Sequence, residues 1–341
     1  GDNLPGTCAE LCASVAGFLG EFASEWRPIA APPWNRDFPP VGLEAIDGDF
    51  VGLVIYTSGS TGAAQPIAKK LGQMAAEVAH LEKQFGALLG AADVITTVSH
   101  QHIYGLLFNI LWPLAAGRRL QASSLSWFED LSATLAAREA VLISSPAHLS
   151  RIPENPSWAK AAQRLRAVFS SGGPLSFDAA QECQRLLGRV PIEVYGSSET
   201  GGIAWRQQET QEHQAWTALP GVEWRLSAIE AIDAEEEVLA VRSAHLPSEK
   251  WFCTADRAHA AADGKFFLGG RVDRIAKIEG KRISLSAIEK LMMASPLVGL
   301  ARVIAVDGRR QRVAAFVVPS EHGQCELVAL GRRGFTRLLR R

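Results

Sequence analysis

The sequence predicts an α/β protein: largely parallel sheets covered by helices, then a β-rich subdomain, then a small α+β C-terminal domain. Three observations lead there. Between residues 51 and 195, short apolar runs alternate with stretches of helical spacing. Beyond about Gly221 the runs shorten and turns come between them. From about Arg274 a helix pattern, two strand-like runs and another helix pattern follow. The expected boundaries are 1–220, 221–272 and 273–341.

In chain order, the first helix candidate covers residues 7–22. There Cys8 and Cys12 share an apolar face with Leu11, Val15, Phe18 and Phe22 and read as packing residues. A connection with Pro28, Pro32, Pro33, Pro39 and Pro40 follows. A compact apolar strand over 51–56, buried in character, leads into a glycine- and serine-rich turn. Leu71, Met74, Val78, Leu81, Phe85 and Leu88 then fall at helical spacing. Strands are expected at 94–98, 141–144, 167–170 and 192–195, and in the β-rich part at 222–226, 238–241 and 266–268. The last part offers a helix at 285–293, strands at 302–306 and 313–318, and a terminal helix. Residues 331–341 carry five arginines, a solvated face or a patch for an acidic carrier domain.

Composition narrows the function classes. With 35 Lys+Arg against 36 Asp+Glu, the net charge of −1 gives no global attraction to nucleic acid or anionic lipid. Five scattered cysteines form neither a disulfide framework nor paired zinc half-sites. The longest apolar stretch, 103–117, is interrupted by Asn109 and Pro113 and is too short to cross a bilayer, so no membrane span is expected. No secretory leader is visible, and a reducing cytoplasm is the expected setting.

Four segments carry chemistry. Thr57, Ser58, Gly59, Ser60, Thr61 and Gly62 follow a strand. Their small side chains let backbone N–H groups approach a polyphosphate, and their hydroxyls add donors. Taken alone, an ordinary glycine-rich connection is an equal reading. The spacing and lysine of the P-loop of ordinary nucleotide hydrolases are missing. The turn Ser170-Ser171-Gly172-Gly173-Pro174 could approach a purine or ribose, or could be a plain strand-to-helix turn. Tyr195-Gly196-Ser197-Ser198-Glu199-Thr200-Gly201-Gly202 gathers a ring, hydroxyls and a carboxylate at a strand's C-terminal end, where open α/β sheets bind ligands. The ring can stack on adenine and the carboxylate can hold Mg²⁺, although an exposed turn carboxylate is the plainer reading of Glu199. Residues 269–283, by charges and glycines alone, suggest a surface hairpin.

In this order the segments resemble the adenylate-forming (AMP-binding) superfamily of acyl-CoA synthetases, acyl-carrier-protein ligases and adenylation domains. Trp251-Phe252-Cys253-Thr254-Ala255-Asp256 matches a further family motif loosely, and the likeness spans roughly residues 51–320. The resemblance implies ATP- and Mg²⁺-dependent activation of a carboxylic acid as acyl-AMP. The acyl group then passes to the pantetheine thiol of coenzyme A or an acyl carrier protein. It implies that residues 57–62 grip the β- and γ-phosphates, that Gly172 and Gly173 border the adenosine, and that Tyr195, followed by Gly196, stacks on adenine. Ser198 would bond the α-phosphate, Glu199 would hold Mg²⁺, and Asp256 would take the ribose hydroxyls with Arg271 beside it. Asp273 would be the hinge of a swivelling C-terminal domain, Gly280 would lie near the pantetheine tunnel, and His102 would flank the acid. Trp205, Trp112, His102 and Tyr104 favour an aryl or medium-sized apolar acid, aryl or fatty, over acetate.

The sequence departs from the family's pattern at three places. Gln65 stands where the family has lysine, with Lys69 and Lys70 as candidate replacements; Ala255 replaces a glycine; and no lysine follows Lys290, where the family carries a catalytic one. With only about 56 residues before the phosphate loop, the resemblance implies a chain trimmed at both ends or a member that has shed parts. A non-catalytic nucleotide-binding relative, acting as scaffold or sensor, is the alternative.

Overall fold

Helical and strand periodicities separate cleanly between residues 71 and 195, and the structure follows them. A computed structural model describes residues 47–58, 64–211, 214–231, 234–272, 275–278, 281–306 and 312–339, which form a mixed α/β fold. The helix expected at 7–22 and the proline-rich connection lie outside the described residues.

A six-stranded sheet forms the centre of the described fold, in the order β3 (Asp93–Thr96), β4 (Ala140–Ser144), β5 (Leu165–Ser170), β6 (Ile192–Ser197), β7 (Gly201–Gln207) and β8 (Thr217–Ala218). The first four strands run parallel; β7 and β8 join antiparallel. Strands β3 and β4 are buried at every position, as expected for parallel strands covered on both faces. One face carries Val94, Val141, Ile143, Ala167 and Phe169, and against it lies α1 (Leu71–Leu89) through Val78, Leu81, Phe85 and Leu89. These four recur at intervals of three and four residues, which is the reason the segment is a helix with one core stripe. Trp112 and Phe108 complete that layer, where Phe169 meets both Phe85 and Trp112 edge to face, as Phe108 meets Trp112.

The other face carries Ile95, Leu142 and Val168. Three helices cover it: α4 (Phe128–Ala137), α6 (Trp158–Arg164) and α7 (Phe177–Leu187). Between β3 and β4 also lie α2 (Ile103–Leu106), a π-helical turn (Leu107–Leu111) and α3 (Trp112–Ala115), while the short α5 (Pro146–Leu149) follows β4.

Past the sheet, β9 (Glu223–Ala231), β10 (Ala234–Arg242), β11 (Phe252–Ala260) and β12 (Phe266–Arg271) form an antiparallel sheet. A bridge between Trp216 and Phe266 ties it to the first. The hairpin β13 (Ile275–Ile278)–β14 (Lys281–Ser284), α8 (Leu285–Met293), the ribbon β15 (Val298–Val306)–β16 (Arg312–Pro319) and α9 (Glu321–Leu338) complete the described chain.

Two expectations need correcting. The strand at 51–56 is β1 (Val51–Ser58), but it pairs antiparallel with β2 (Ala64–Lys70) in a separate two-stranded ribbon. It is also not buried: Val51, Val54 and Tyr56 are exposed. β2 escaped the sequence because Pro66, Lys69 and Lys70 interrupt any apolar run.

Candidate active site

The parallel strands end their carboxyl termini on one side, and the turns that follow them build a cleft of about 700 Å³. Its wall includes His102 from the β3–α2 connection, Gly172 and Gly173 after β5, and Gly196 and Ser198 after β6. The structure therefore brings together five of the residues that the sequence singles out. Gly105 lines the cleft as well and approaches the Ser99 backbone so closely that a Cβ there would collide with its carbonyl. Ser171 Oγ donates to Val194 O at 2.8 Å, which ties the glycine turn to β6.

The loop between β6 and β7 is braced from within. Ser197 N–H donates to Thr200 Oγ1 at 3.1 Å and Thr200 N–H donates to Ser197 Oγ at 3.2 Å. Arg206 on β7 meets Glu193 on β6 at 2.9 Å, so the strands entering and leaving the loop are also pinned. Ser198 and Glu199 lie half-buried in this loop, and neither side chain makes a hydrogen bond among the described residues.

Tyr195, Asp256 and Arg271 form a second group. Alternation along β6 sends Val194 towards the cleft and Tyr195 towards the next sheet, where its ring lies 5.6 Å from that of Trp216. The Tyr195 phenol donates to Asp256 Oδ2 at 2.6 Å, and Arg271 Nη1 stands 3.9 Å from the same oxygen, its residue paired with Asp256 across β11–β12. Burial first, then the Asp256 carboxylate, raises the phenol well above its ordinary range, so it stays a hydrogen-bond donor.

Thr57 and Ser58 end β1; Gly59, Ser60, Thr61 and Gly62 lie outside the described residues, as do Asp273 and Gly280. Of the aromatic residues associated with the acid pocket, His102 and Tyr104 line the cleft. Trp112 is instead a core residue, and Trp205 packs on Phe85. Neither candidate replacement for the lysine at Gln65 is free. Lys70 pairs with Asp49 at 2.8 Å on the surface, and Lys69 is 2% exposed with its Nζ donating to Glu199 O at 2.7 Å.

Lys69 belongs to a buried polar cluster that sequence reasoning missed. Glu77 on α1, 4% exposed, accepts from Gly202 N–H at 2.6 Å. Burial pushes its carboxyl up to about 7, against the opposing pull of the Gly202 N–H and of Lys69. Burial also lowers Lys69, with Glu77 and then Glu199 offsetting part of the effect. His245, buried beside the Gly202 backbone, drops to about 4 through burial and the charges of His80 and Lys69, and its Nδ1 is 3.0 Å from Ser243 Oγ. Gly201 holds a φ of +68°, and a Cβ there would land on the Glu77 carboxylate. The available signal was a carboxylate on the apolar stripe of α1, three residues after Met74.

Comparison with known proteins bears on the whole. A 4-coumarate–CoA ligase of Rhodobacter capsulatus is 28% identical over 284 residues, covering 81% of this chain and 65% of that protein. A p-hydroxybenzoic acid–AMP ligase of Mycobacterium tuberculosis is 26% identical, over 78% of this chain and 41% of its own length. The chain thus spans about two thirds of the first relative and two fifths of the second. Among solved structures, an amide bond synthetase from Marinactinospora thermotolerans shares the fold with a TM-score of 0.69 at 20% identity, covering 95% of this chain and 71% of that one. The family model of the AMP-binding enzymes matches residues 14–240. With that match running across residues 57–62 and the Ser-Gly-Gly and Tyr-Gly-Ser-Ser-Glu segments, the chain belongs to the AMP-binding, adenylate-forming enzyme family.

Proposed function

We propose that this chain is the nucleotide-using part of an acid–thiol ligase. It activates an aryl or fatty carboxylic acid with ATP as acyl-AMP and passes the acyl group to the pantetheine of coenzyme A or an acyl carrier protein. The observation that carries this reading is the cleft at the carboxyl ends of β3–β6, where His102, Gly172, Gly173, Gly196 and Ser198 converge. In this reading Tyr195, Asp256 and Arg271 serve the adenosine, with Asp256 as acceptor for ribose hydroxyls. Ser198 bonds the α-phosphate, His102 flanks the acid, and residues 57–62 grip the outer phosphates. Asp273 is the pivot of the C-terminal part, residues 273–341, and Gly280 borders the pantetheine.

Glu199 suits Mg²⁺. That ion takes one or two carboxylates and shares its other positions with substrate phosphates and water. Glu199 offers one carboxylate without a hydrogen bond, and no cluster of three His, Cys, Asp or Glu that could cage a metal occurs among the described residues. When bound, the metal neutralises charge on the departing pyrophosphate. The protein's own work is alignment: the braced 196–202 loop, which carries Glu199, holds Ser198 at one wall while His102 bounds the acid at another.

One observation favours a second reading, a nucleotide-binding scaffold or sensor: Gln65 is neutral, and Lys69 and Lys70 are both engaged elsewhere. One experiment separates the two. AMP binding is measured by calorimetry, and acid-dependent ATP–pyrophosphate exchange is measured with Mg²⁺ across aryl and fatty acids. The ligase reading expects both signals, the scaffold reading binding alone, and absence of both refutes a nucleotide site. Among the described residues no helix is long and apolar enough to cross a membrane.

A further inference from the structure

Glu77 has no part in the reading above, yet it lines the cleft. Its Oε1 is used by Gly202 N–H, and its Oε2 makes no hydrogen bond among the described residues. The rest of the wall mixes apolar side chains, among them Val98, Ile103, Leu107, Phe108 and Val194, with hydroxyl-bearing ones such as Thr97, Ser99 and Ser197. A carboxylate oxygen at such a wall gives up its water when a ligand covers it, which is costly unless a donor on the ligand reaches it.

We infer that Glu77 is a specificity-determining residue that accepts a hydrogen bond from a hydroxyl on the acyl part of the acid substrate. The inference rests on the acid-activating reading. Charge decides among the possible donors. Lys69 Nζ holds Glu199 O and Glu77 holds Gly202 N–H, so the ammonium and the carboxylate grip the same four-residue stretch and the carboxylate already has a counter-charge close by. A substrate ammonium would meet that lysine's like charge, and a second substrate carboxylate would meet Glu77 itself. A neutral hydroxyl avoids both repulsions and satisfies Oε2. An unsubstituted acyl group would cover Oε2 without replacing the water it loses, the situation in which polar sites discriminate most strongly.

The test measures calorimetric affinities of stable acyl-sulfamoyl adenosines. The acyl groups are benzoyl, 4-hydroxybenzoyl and 4-carboxybenzoyl, with octanoyl, 8-hydroxyoctanoyl and 7-carboxyheptanoyl as the aliphatic set, and AMP is the nucleotide control. In at least one set the hydroxyl analogue should bind about tenfold or more tighter than the unsubstituted one, and the carboxylate about tenfold or more weaker. In Glu77→Gln the amide turns a donor towards the cleft, so the carboxylate analogue should gain about tenfold and the hydroxyl preference should shrink. Equal affinities within both sets with AMP still bound overturn the inference and leave the adenylate reading standing. Loss of AMP and analogue binding together overturns both. A hydroxyl preference unchanged in folded Glu77→Gln assigns it to another residue and overturns the inference as well. If that variant does not fold, the wild-type ranking decides.

Discussion

Replacing Lys69 by methionine keeps most of the side-chain volume and removes one buried charge. Two consequences can be sized from the structure. The first is loss of the 2.7 Å hydrogen bond from Nζ to Glu199 O, worth about 1.5–3 kcal/mol for a charged donor. The second falls on Glu77. Its carboxyl is raised from an ordinary 4.5 to about 7, so the folded state holds its proton longer than the unfolded chain does. Stability therefore declines as pH rises above 4.5 and levels off above about 7, at 1.36 kcal/mol per pH unit, or about 3 kcal/mol in all. Without Lys69 the folded value rises further, so the decline continues past pH 7. The loss in Lys69→Met should be nearly steady at about 1.5–3 kcal/mol between pH 5 and 7, then grow between pH 7 and 8 by at most about 1 kcal/mol. Urea unfolding followed by tryptophan fluorescence at pH 5.5, 7 and 8 reads this directly. Equal stability of the two proteins, or a difference that narrows as pH rises, would refute the pairing of Lys69 with Glu77 and Glu199.

The remaining predictions address the site more directly. Glu199→Gln should lose a little stability, about 1 kcal/mol or less, by giving up the carboxylate's attraction to the buried Lys69 ammonium, while acid-dependent pyrophosphate exchange falls about 10²–10³-fold; exchange within about threefold of wild type removes Glu199 from the metal site. Asp256→Ala should weaken ATP binding by about 1.5–3 kcal/mol and strand the Tyr195 phenol, and unchanged calorimetric affinity would contradict the ribose role. Gly201→Ala should cost about 1–3 kcal/mol in urea unfolding, from its positive φ and the collision with Glu77, and a neutral effect would mean that the turn is not held against that carboxylate.

Much of the fold was legible because burial writes periodicity into sequence. The α1 stripe and the solid apolar runs of β3, β4 and β5 are of this kind. β2 was not legible, since a ribbon edge carrying Pro66, Lys69 and Lys70 has no apolar signature. β7 was also missed, because it opens on Gly201 and Gly202 and reads as the tail of the preceding motif. In the site, the loops after β5 and β6 could be recognised from small residues following strands. The Glu77 and Lys69 contacts could not, for they join residues 125 and 130 positions apart. Distances of that kind follow from the three-dimensional packing of α1 and the β1–β2 ribbon beneath the loop, which no local pattern encodes.

The placement of Lys69 also bears on how charge is handled near the phosphates. Where the family has lysine this chain has Gln65, and Lys69, four residues on in the sequence, turns inward to Glu199 O. Its ammonium is buried, so it cannot act as a mobile phosphate ligand; it acts one step back, by fixing the main chain that carries the proposed metal carboxylate. That gives a contrast between two variants. Glu199→Gln keeps the Nζ–O anchor and removes chiefly a group that substrate needs, so rate should fall far more than stability. Lys69→Met loosens the loop itself, so stability and exchange should fall together, and Lys69→Arg should restore little of either because a planar guanidinium is too large for a site filled by a compact ammonium. A Lys69→Met protein that loses exchange at full stability would instead mean that the ammonium reaches the phosphates directly.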